Sequence, residues 1–128
     1  MTTRSVEQLL ADARSHIDRV SPAELGWWRV AGALVIDIRP ERQRAEEGEF
    51  DHAIVVERNV LEWRFDLRGE HALADIDGYG QPVVVACSEG YASSFAAASL
   101  RALGFTRVAD LDGGYQAWRA WRETLSAA

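Results

Sequence analysis

The sequence is poor in cysteine and has no long apolar run. These two absences exclude proteins with an internal disulfide, a multi-cysteine zinc site or a membrane-spanning helix. Cys87 is the single cysteine among 128 residues, so neither an internal disulfide nor a multi-cysteine zinc site can form. No apolar run approaches the roughly 18 residues that a membrane-spanning helix needs. Residues 1–12 are too polar for a secretory signal. We therefore expect a cytoplasmic protein with no membrane partner.

Basic residues are also in the minority. Fourteen of them stand against 20 acidic residues, which gives a net charge of −6. This balance argues against a dedicated partner that is a nucleic acid or an anionic membrane. His16 and His71 stand alone, without the spacing of metal ligands, so we expect no metal site. With 48% hydrophobic residues, the chain can bury the core of one globular domain.

Apolar runs alternate with helical patterns along the chain. The runs predict buried strands at 33–37, 53–56, 82–86 and 108–111. A helix is expected over 5–17, and a shorter one is expected to begin at the capping pattern of Ser21 and Glu24. Further helices are predicted at 40–47, after a cap at Asn59, from residue 92 to a stop at Gly104, and from residue 115. This order predicts an α/β domain with a mainly parallel sheet covered on both faces.

Cys87 directly follows the strand at 82–86. It is therefore expected at the carboxyl edge of the sheet, where catalytic and binding residues lie in such folds. The next helix begins a few residues later, so backbone N–H groups and a helix N-terminus can converge on the sulfur and favour its thiolate. Gly90 permits unusual backbone angles, and the hydroxyls of Ser88, Ser93 and Ser94 add donors. A lone cysteine more often packs in a core, but the polar residues after Cys87 do not suit a continuing core.

Three segments together resemble the single-domain rhodaneses, a family of sulfurtransferases. Cys87-Ser88-Glu89-Gly90-Tyr91-Ala92-Ser93 is similar to the family's active-site loop. Residues 34–41 resemble its early strand that ends in Asp-x-Arg, and residues 111–118 resemble its late Leu-x-Gly-Gly-x-x-Ala-Trp segment. The resemblance covers residues 18–122. It divides the chain into an N-terminal helical extension at 1–17 and a rhodanese-like domain at 18–128.

The resemblance implies a three-layer fold, with a central, mainly parallel five-stranded sheet and helices on both faces. It implies that Cys87 takes a sulfane sulfur from a small donor, such as thiosulfate or a persulfide, and holds it as a persulfide. The acceptor would be cyanide, a thiol or a protein cysteine, and no cofactor would be needed. Ser88, Glu89, Gly90, Tyr91, Ala92 and Ser93 would form the loop that cradles the anion.

The loop departs from many thiosulfate-using members because it carries no arginine or lysine and adds the acidic Glu89. A carboxylate there weakens thiosulfate binding unless it points to solvent. Arg39 and Arg58 are candidates to supply positive charge, although Arg39 can instead pair with Asp37 and brace the loop, and Arg58 can lie on the surface. Tyr91 either walls the pocket, contacts an acceptor protein, or is a plain surface aromatic.

A second departure lies at Gly48-Glu49-Phe50-Asp51-His52-Ala53, where the family usually shows Gly-His-Ile-Pro-Gly-Ala. We expect an altered turn there, and we do not expect His52 to act as a base, since a thiolate already formed needs none.

Two other functions stay open. Phosphatases and arsenate reductases of related fold also use a loop cysteine, but their loop ends in an arginine that this chain lacks before Arg101. Some rhodanese-like domains are non-catalytic binding modules. That alternative stays open because Glu89 departs from the loop of many thiosulfate-using members. The oligomeric state is not indicated by the sequence.

Overall fold

A computed structural model describes residues 2–127 of the chain. Six helices and five strands alternate along it, and a short 3₁₀ turn at Arg58–Val60 precedes the fourth helix. The helices are α1 (Val6–Arg14), α2 (Leu25–Val30), α3 (Glu41–Glu47), α4 (Leu61–Phe65), α5 (Ala92–Leu103) and α6 (Gly114–Ala127). The strands are β1 (Asp18–Val20), β2 (Leu34–Asp37), β3 (Ile54–Val55), β4 (Val83–Ala86) and β5 (Val108–Leu111).

The five strands form one sheet in the order β1-β5-β4-β2-β3, and every neighbouring pair is parallel. β4 lies at the centre, and its four residues are all buried. In β4, Val83 and Val85 contribute to one apolar cluster, while Val84 and Ala86 contribute to the other. This alternation follows from the two-residue period of a strand, and it explains why the run is apolar throughout.

Helices cover both faces of the sheet. On one face, α4 and α5 supply Leu61, Phe65 and Leu100 to the core, and α1 packs against α5. On the other face, α2 and α6 supply Leu25 and Trp118. The predicted three-layer architecture with a parallel five-stranded sheet is therefore confirmed.

Most predicted elements are present, but the residues alone did not indicate β1. Its sequence, Asp-Arg-Val, is short and mostly charged, and only Val20 is buried. It forms as an edge strand because it hydrogen-bonds to β5, with Arg19 in register with Asp110. The proposed boundary at residue 17 stays a prediction; α1 lies against α5 on one side of it, and β1 follows it in the sheet.

Two predicted helix starts differ in detail. Ser21 and Glu24 exchange the hydrogen bonds of a capping box, at 3.0 and 3.2 Å, yet the helix begins one residue beyond Glu24. Asn59 does not cap a helix as expected; it lies inside the 3₁₀ turn, and the residue before α4 makes no side-chain capping bond. Within residues 2–127, no helix combines the length and apolar character needed to cross a membrane.

Candidate active site

Cys87 lies at the carboxyl end of the central strand β4, in the loop that leads into α5. Its sulfur accepts two backbone hydrogen bonds, from the N–H of Gly90 at 3.1 Å and from the N–H of Ser93 at 3.4 Å. The side chain is buried, with 7% of its surface exposed. The loop therefore surrounds the sulfur with donors that stabilise negative charge on it.

The loop closes tightly against a turn formed by Asp112, Gly113 and Gly114. Gly90 has a φ of +89°, and a Cβ atom there would lie 2.7 Å from the backbone nitrogen of Gly113. Gly114 has a φ of +66°, and its Cβ would lie 2.5 Å from the carbonyl oxygen of Ser88. Both glycines are needed because two backbones approach each other without room for a side chain.

The start of α6 orients the first two peptide groups of the loop. The N–H of Tyr115 donates to the carbonyl oxygen of Cys87 at 2.8 Å, and the N–H of Gln116 donates to that of Ser88 at 3.1 Å. These bonds satisfy N–H groups in the first turn of α6 that have no partner within the helix. They also hold the two carbonyl oxygens towards α6.

A buried arginine, Arg39, lies just beyond the carboxyl end of β2, the strand beside β4. Arg39 is 1% exposed and donates to both carboxylate oxygens of Asp37, at 2.8 to 3.2 Å. It also donates to Glu47 at 3.2 Å, and its guanidinium carbon lies 3.9 Å from the ring centre of Tyr115. Although burial disfavours its charge, these two carboxylates hold the pKa of Arg39 above its ordinary value. Of the two roles open to it from the sequence, Arg39 takes the bracing one.

The same network continues to the loop through Glu47. The hydroxyl of Ser88 donates to Glu47 at 2.7 Å and accepts from the side-chain amide of Gln116 at 2.8 Å. The hydroxyls of Ser93 and Ser94 both donate to a single carboxylate oxygen of Asp110, at 2.8 and 2.7 Å. All three hydroxyl hydrogens are thus directed to carboxylates. Carboxylates accept hydrogen bonds from hydroxyls strongly, so these three hydroxyls bond to Glu47 and Asp110 in this structure, and their part in the anion cradle stays a prediction.

Arg58 forms no hydrogen bond or ion pair with the residues of the Cys87 loop network described above. It forms an ion pair with Glu62 one helical turn away, at 2.9 Å, and it is not among the residues that line the recess at Cys87. Burial of Glu62 works against its charge, but its hydrogen bonds, chiefly that from Arg58, lower the pKa of that carboxyl below its usual range. Arg58 therefore lies on the surface, the other position that the sequence left open.

The recess above Cys87 is shallow, about 200 Å³ in volume. It is lined by Gln43, Cys87, Ser88, Glu89, Tyr91 and Ala92. None of these is cationic, and the carboxylate of Glu89 forms no ion pair with any residue of the described part of the chain. Tyr91 is 59% exposed, so its ring stands at the mouth of the recess. The mouth is thus acidic and partly aromatic.

His52 takes no part in these contacts, and its backbone conformation is unusual. It is exposed and has a φ of +62°, the only positive φ of a non-glycine residue within 2–127. The resembling family shows glycine at this position, which suits a left-handed backbone better. His52 therefore adopts a left-handed conformation without being a glycine, and the altered turn stays a prediction.

Five residues of the site were not found from the sequence: Arg14, Arg19, Glu47, Asp110 and Gln116. Asp110 carried a signal, because a carboxylate inside the apolar strand β5 must have partners to be buried. Its partner Arg19 donates to it at 3.0 Å. Burial of Arg19 works against its charge, but Asp110, with smaller contributions from Asp112 and Cys87, raises the pKa of Arg19 above its ordinary value. No local pattern indicates Arg14 or Gln116.

Comparison with known proteins agrees with this geometry. Residues 21–120 match a family model described as rhodanese-like domain. The thiosulfate sulfurtransferase GlpE of Pseudomonas fluorescens (strain SBW25) is 37% identical over 106 residues, which cover 82% of this chain and 87% of that protein. GlpE of Ectopseudomonas mendocina (strain ymp) is 34% identical over 106 residues, covering 83% and 88%.

Solved structures show the same fold. RPA3614 of Rhodopseudomonas palustris CGA009, a protein of unknown function described as a possible tyrosine phosphatase, superposes with a TM-score of 0.83 at 26% identity, covering 95% of this chain and 94% of that one. The human single-domain sulfurtransferase TSTD1 gives a TM-score of 0.64 at 22% identity, covering 80% and 95%. The family match includes the Cys87 loop and leaves Arg14 and Arg19 outside it.

Proposed function

The chain belongs to the rhodanese-like domain family and is a rhodanese-type sulfurtransferase, and we propose that Cys87 carries the transferred sulfur as a persulfide. The observation that carries this proposal is the pair of backbone N–H groups, from Gly90 and Ser93, that donate to the Cys87 sulfur at 3.1 and 3.4 Å. Such donors stabilise the Cys87 thiolate before it attacks the donor, and they stabilise it again when the acceptor has removed the sulfur.

The transfer takes two displacements. The Cys87 thiolate attacks the outer sulfur of the donor, forms a new S–S bond and expels the donor's remainder with the electron pair of the broken S–S bond. With thiosulfate that leaving group is sulfite, and with a persulfide it is a thiolate. An acceptor such as cyanide then attacks the terminal sulfur, leaves as thiocyanate, and returns Cys87 to the thiolate. One cysteine suffices, and a covalent intermediate divides the reaction into two easier steps.

The recess favours a low-molecular-weight persulfide over thiosulfate as the donor. Thiosulfate is a dianion, and the mouth presents Glu89 with no cation among its lining residues. Two like unit charges about 8 Å apart repel by about 0.5 kcal/mol in water, so a dianion at about that distance from Glu89 is penalised by about 1 kcal/mol. Arg39 does not compensate for this, because it is buried against Asp37. Arg14 and Arg19 reach the loop, but they donate to the carbonyl oxygen of Gly90 and do not line the recess.

The same proposal covers location and partners. The acceptor is a thiol, cyanide or a protein cysteine, and neither a nucleic acid nor a membrane is a partner. A cytoplasmic location suits a chain whose single cysteine is a free thiol, because reducing compartments preserve thiols.

A phosphatase or arsenate reductase activity is less well supported by the site. Residues 87–100 contain no arginine that could hold an oxyanion. Arg14 and Arg19 approach the loop from α1 and β1, respectively, but both donate to the carbonyl oxygen of Gly90, at 2.9 Å each. Their guanidinium groups thus serve the backbone of the loop.

The direct test is the intact mass of the protein after incubation with thiosulfate or with a low-molecular-weight persulfide, followed by cyanide. We expect the persulfide to add the mass of one sulfur atom and cyanide to remove it. The gain is assigned without ambiguity, because Cys87 is the single cysteine, and Cys87→Ala is the control. If neither donor loads the folded protein while its thiol still alkylates, the proposal fails and a binding module is favoured. Aryl phosphate hydrolysis that is lost in Cys87→Ser would favour a phosphatase.

A further inference from the structure

The carbonyl oxygen of Gly90 accepts hydrogen bonds from two guanidinium groups. Nη2 of Arg14 and Nη2 of Arg19 each donate to it at 2.9 Å. A carbonyl oxygen has two lone pairs, so this acceptor is saturated by cationic donors. Bonds to charged donors are roughly twice as strong as neutral ones. The peptide that joins Gly90 to Tyr91 is therefore held more firmly than an ordinary loop peptide.

This peptide adjoins the donors that face the sulfur. Gly90 gives its own N–H to the Cys87 sulfur at 3.1 Å, and its φ of +89° lies in a region that glycine can leave easily. Because a peptide is planar and trans, the N–H of Tyr91 points away from the two guanidinium groups. Gly90 Cα joins this peptide directly to the preceding one, whose N–H donates to the sulfur. Holding the Gly90 carbonyl therefore restrains rotation at Gly90 and limits movement of that N–H.

The two arginines are themselves anchored. Arg19 donates to Asp110 at 3.0 Å and to the exposed Asp112 at 3.0 Å. Arg14 donates to the hydroxyl of Ser94 at 3.0 Å, and that hydroxyl in turn donates to Asp110. Asp110 is completely buried, so its charge fixes this group of side chains in one arrangement.

Both arginines precede the segment 21–120 that matches the family. Arg19 is brought to the loop by the pairing of β1 with β5, which sets it in register with Asp110. Arg14 is the last residue of α1, and the packing of α1 against α5 carries it to the start of α5. The segment before the matched domain therefore contributes directly to the site.

We propose that Arg14 and Arg19 form a guanidinium clamp on the Gly90 carbonyl and act as positioning residues for sulfur transfer at Cys87. The clamp keeps the N–H of Gly90 aimed at the sulfur while the charge and size of that group change between thiolate and persulfide. This assignment rests on the proposed function for its effect on turnover, but the orientation of the donors can be measured on the free thiol alone.

The test replaces Arg14, because Asp110 keeps Arg19, Ser93 and Ser94 as partners when Arg14 is lost. Arg14→Met keeps the aliphatic stem and removes the donors, and Arg14→Lys restores the charge with a different geometry. Arg4→Met is the matched control, since Arg4 is exposed and bonds only within its own helix region, to Gln8 at 3.4 Å. Each variant is assayed for kcat/KM of sulfur transfer and for the rate of Cys87 alkylation by iodoacetamide between pH 5 and 10.

A misplacement of about 1 Å can cost about a hundredfold in rate. Because Arg19 still holds the Gly90 carbonyl in Arg14→Met, we expect a smaller loss there, about tenfold in kcat/KM and mainly through kcat. We also expect its alkylation profile to move to higher pH, with partial recovery in Arg14→Lys and no change in Arg4→Met. Wild-type transfer and a wild-type alkylation profile in a folded Arg14→Met protein would overturn the clamp. If Arg14→Met does not fold, Arg14→Lys decides, and a profile equal to that of the wild type rejects the clamp. Failure of the wild type to accept sulfur rejects the proposed function instead, and the alkylation profiles still test the clamp.

Discussion

Replacing Gly114 by alanine tests whether the close contact between the loop and the Asp112–Gly114 turn holds the sulfur cradle. A Cβ atom on Gly114 would lie 2.5 Å from the carbonyl oxygen of Ser88 and 2.6 Å from that of Cys87. Ordinary contact requires about 3.5 Å, so the two backbones must separate by roughly 1 Å. Both are main chain, and no flexible side chain can yield in their place.

The cost follows from two contributions. The left-handed conformation, with a φ of +66°, costs an alanine about 1–2 kcal/mol. Overpacking of this kind costs about 1–3 kcal/mol more. The sum is about 2–5 kcal/mol, and at about 4 °C per kcal/mol for a domain of this size Tm falls by about 8–20 °C. Since the same carbonyls accept the N–H groups of Tyr115 and Gln116, relief of the clash must move the loop.

We therefore expect Gly114→Ala to fold with a lower Tm and to lose at least about a hundredfold in kcat/KM for sulfur transfer. The assays are thermal unfolding followed by circular dichroism and thiocyanate formation from a persulfide donor and cyanide. Gly80→Ala is the matched control, because a Cβ at Gly80 meets no atom within 4 Å and its φ is not positive. A Gly114→Ala protein with wild-type Tm and turnover would refute the reasoning.

Two further predictions concern charge. Asp37→Ala leaves the buried Arg39 without its main partner, so we expect the free energy of unfolding, measured by urea titration, to fall by about 3–5 kcal/mol. Glu46→Ala is the control: its partner Arg42 is exposed, so the free energy of unfolding should fall by less than about 1 kcal/mol. Equal losses in the two variants would contradict this account. Glu89→Gln should raise kcat/KM for thiosulfate about fivefold at low salt, and less at high salt, because it removes about 1 kcal/mol of repulsion. The exposed Glu70→Gln, with the same change in net charge, should leave it unaltered.

Local patterns in the sequence were enough to find the centre of the fold and of the site. The apolar β-branched run before Cys87 predicted β4, and Gly104 ended α5 where expected. The loop after Cys87 was identified as a cradle because polar residues and Gly90 followed a buried strand directly. These features depend on neighbours in sequence, so the chain carries them without reference to its remote parts.

What surrounds the sulfur beyond that loop was decided by the tertiary structure. From the sequence, Arg39 had two possible roles, and burial beside Asp37 selected the bracing one. The hydroxyls of Ser93 and Ser94 turned to Asp110, which lies more than a dozen residues further along the chain.

The sequence by itself thus determined four of the five strands of the sheet, the cysteine and the loop that follows it. Only the tertiary structure decided which arginines reach that loop. Arg14 and Arg19 lie 76 and 71 residues before Gly90, and they meet its carbonyl because β1 pairs with β5 and α1 packs on α5. The physical reason is that the Gly90 carbonyl oxygen accepts hydrogen bonds from the donors that the strand order and helix packing place beside it. No local sequence pattern predicts which donors these are.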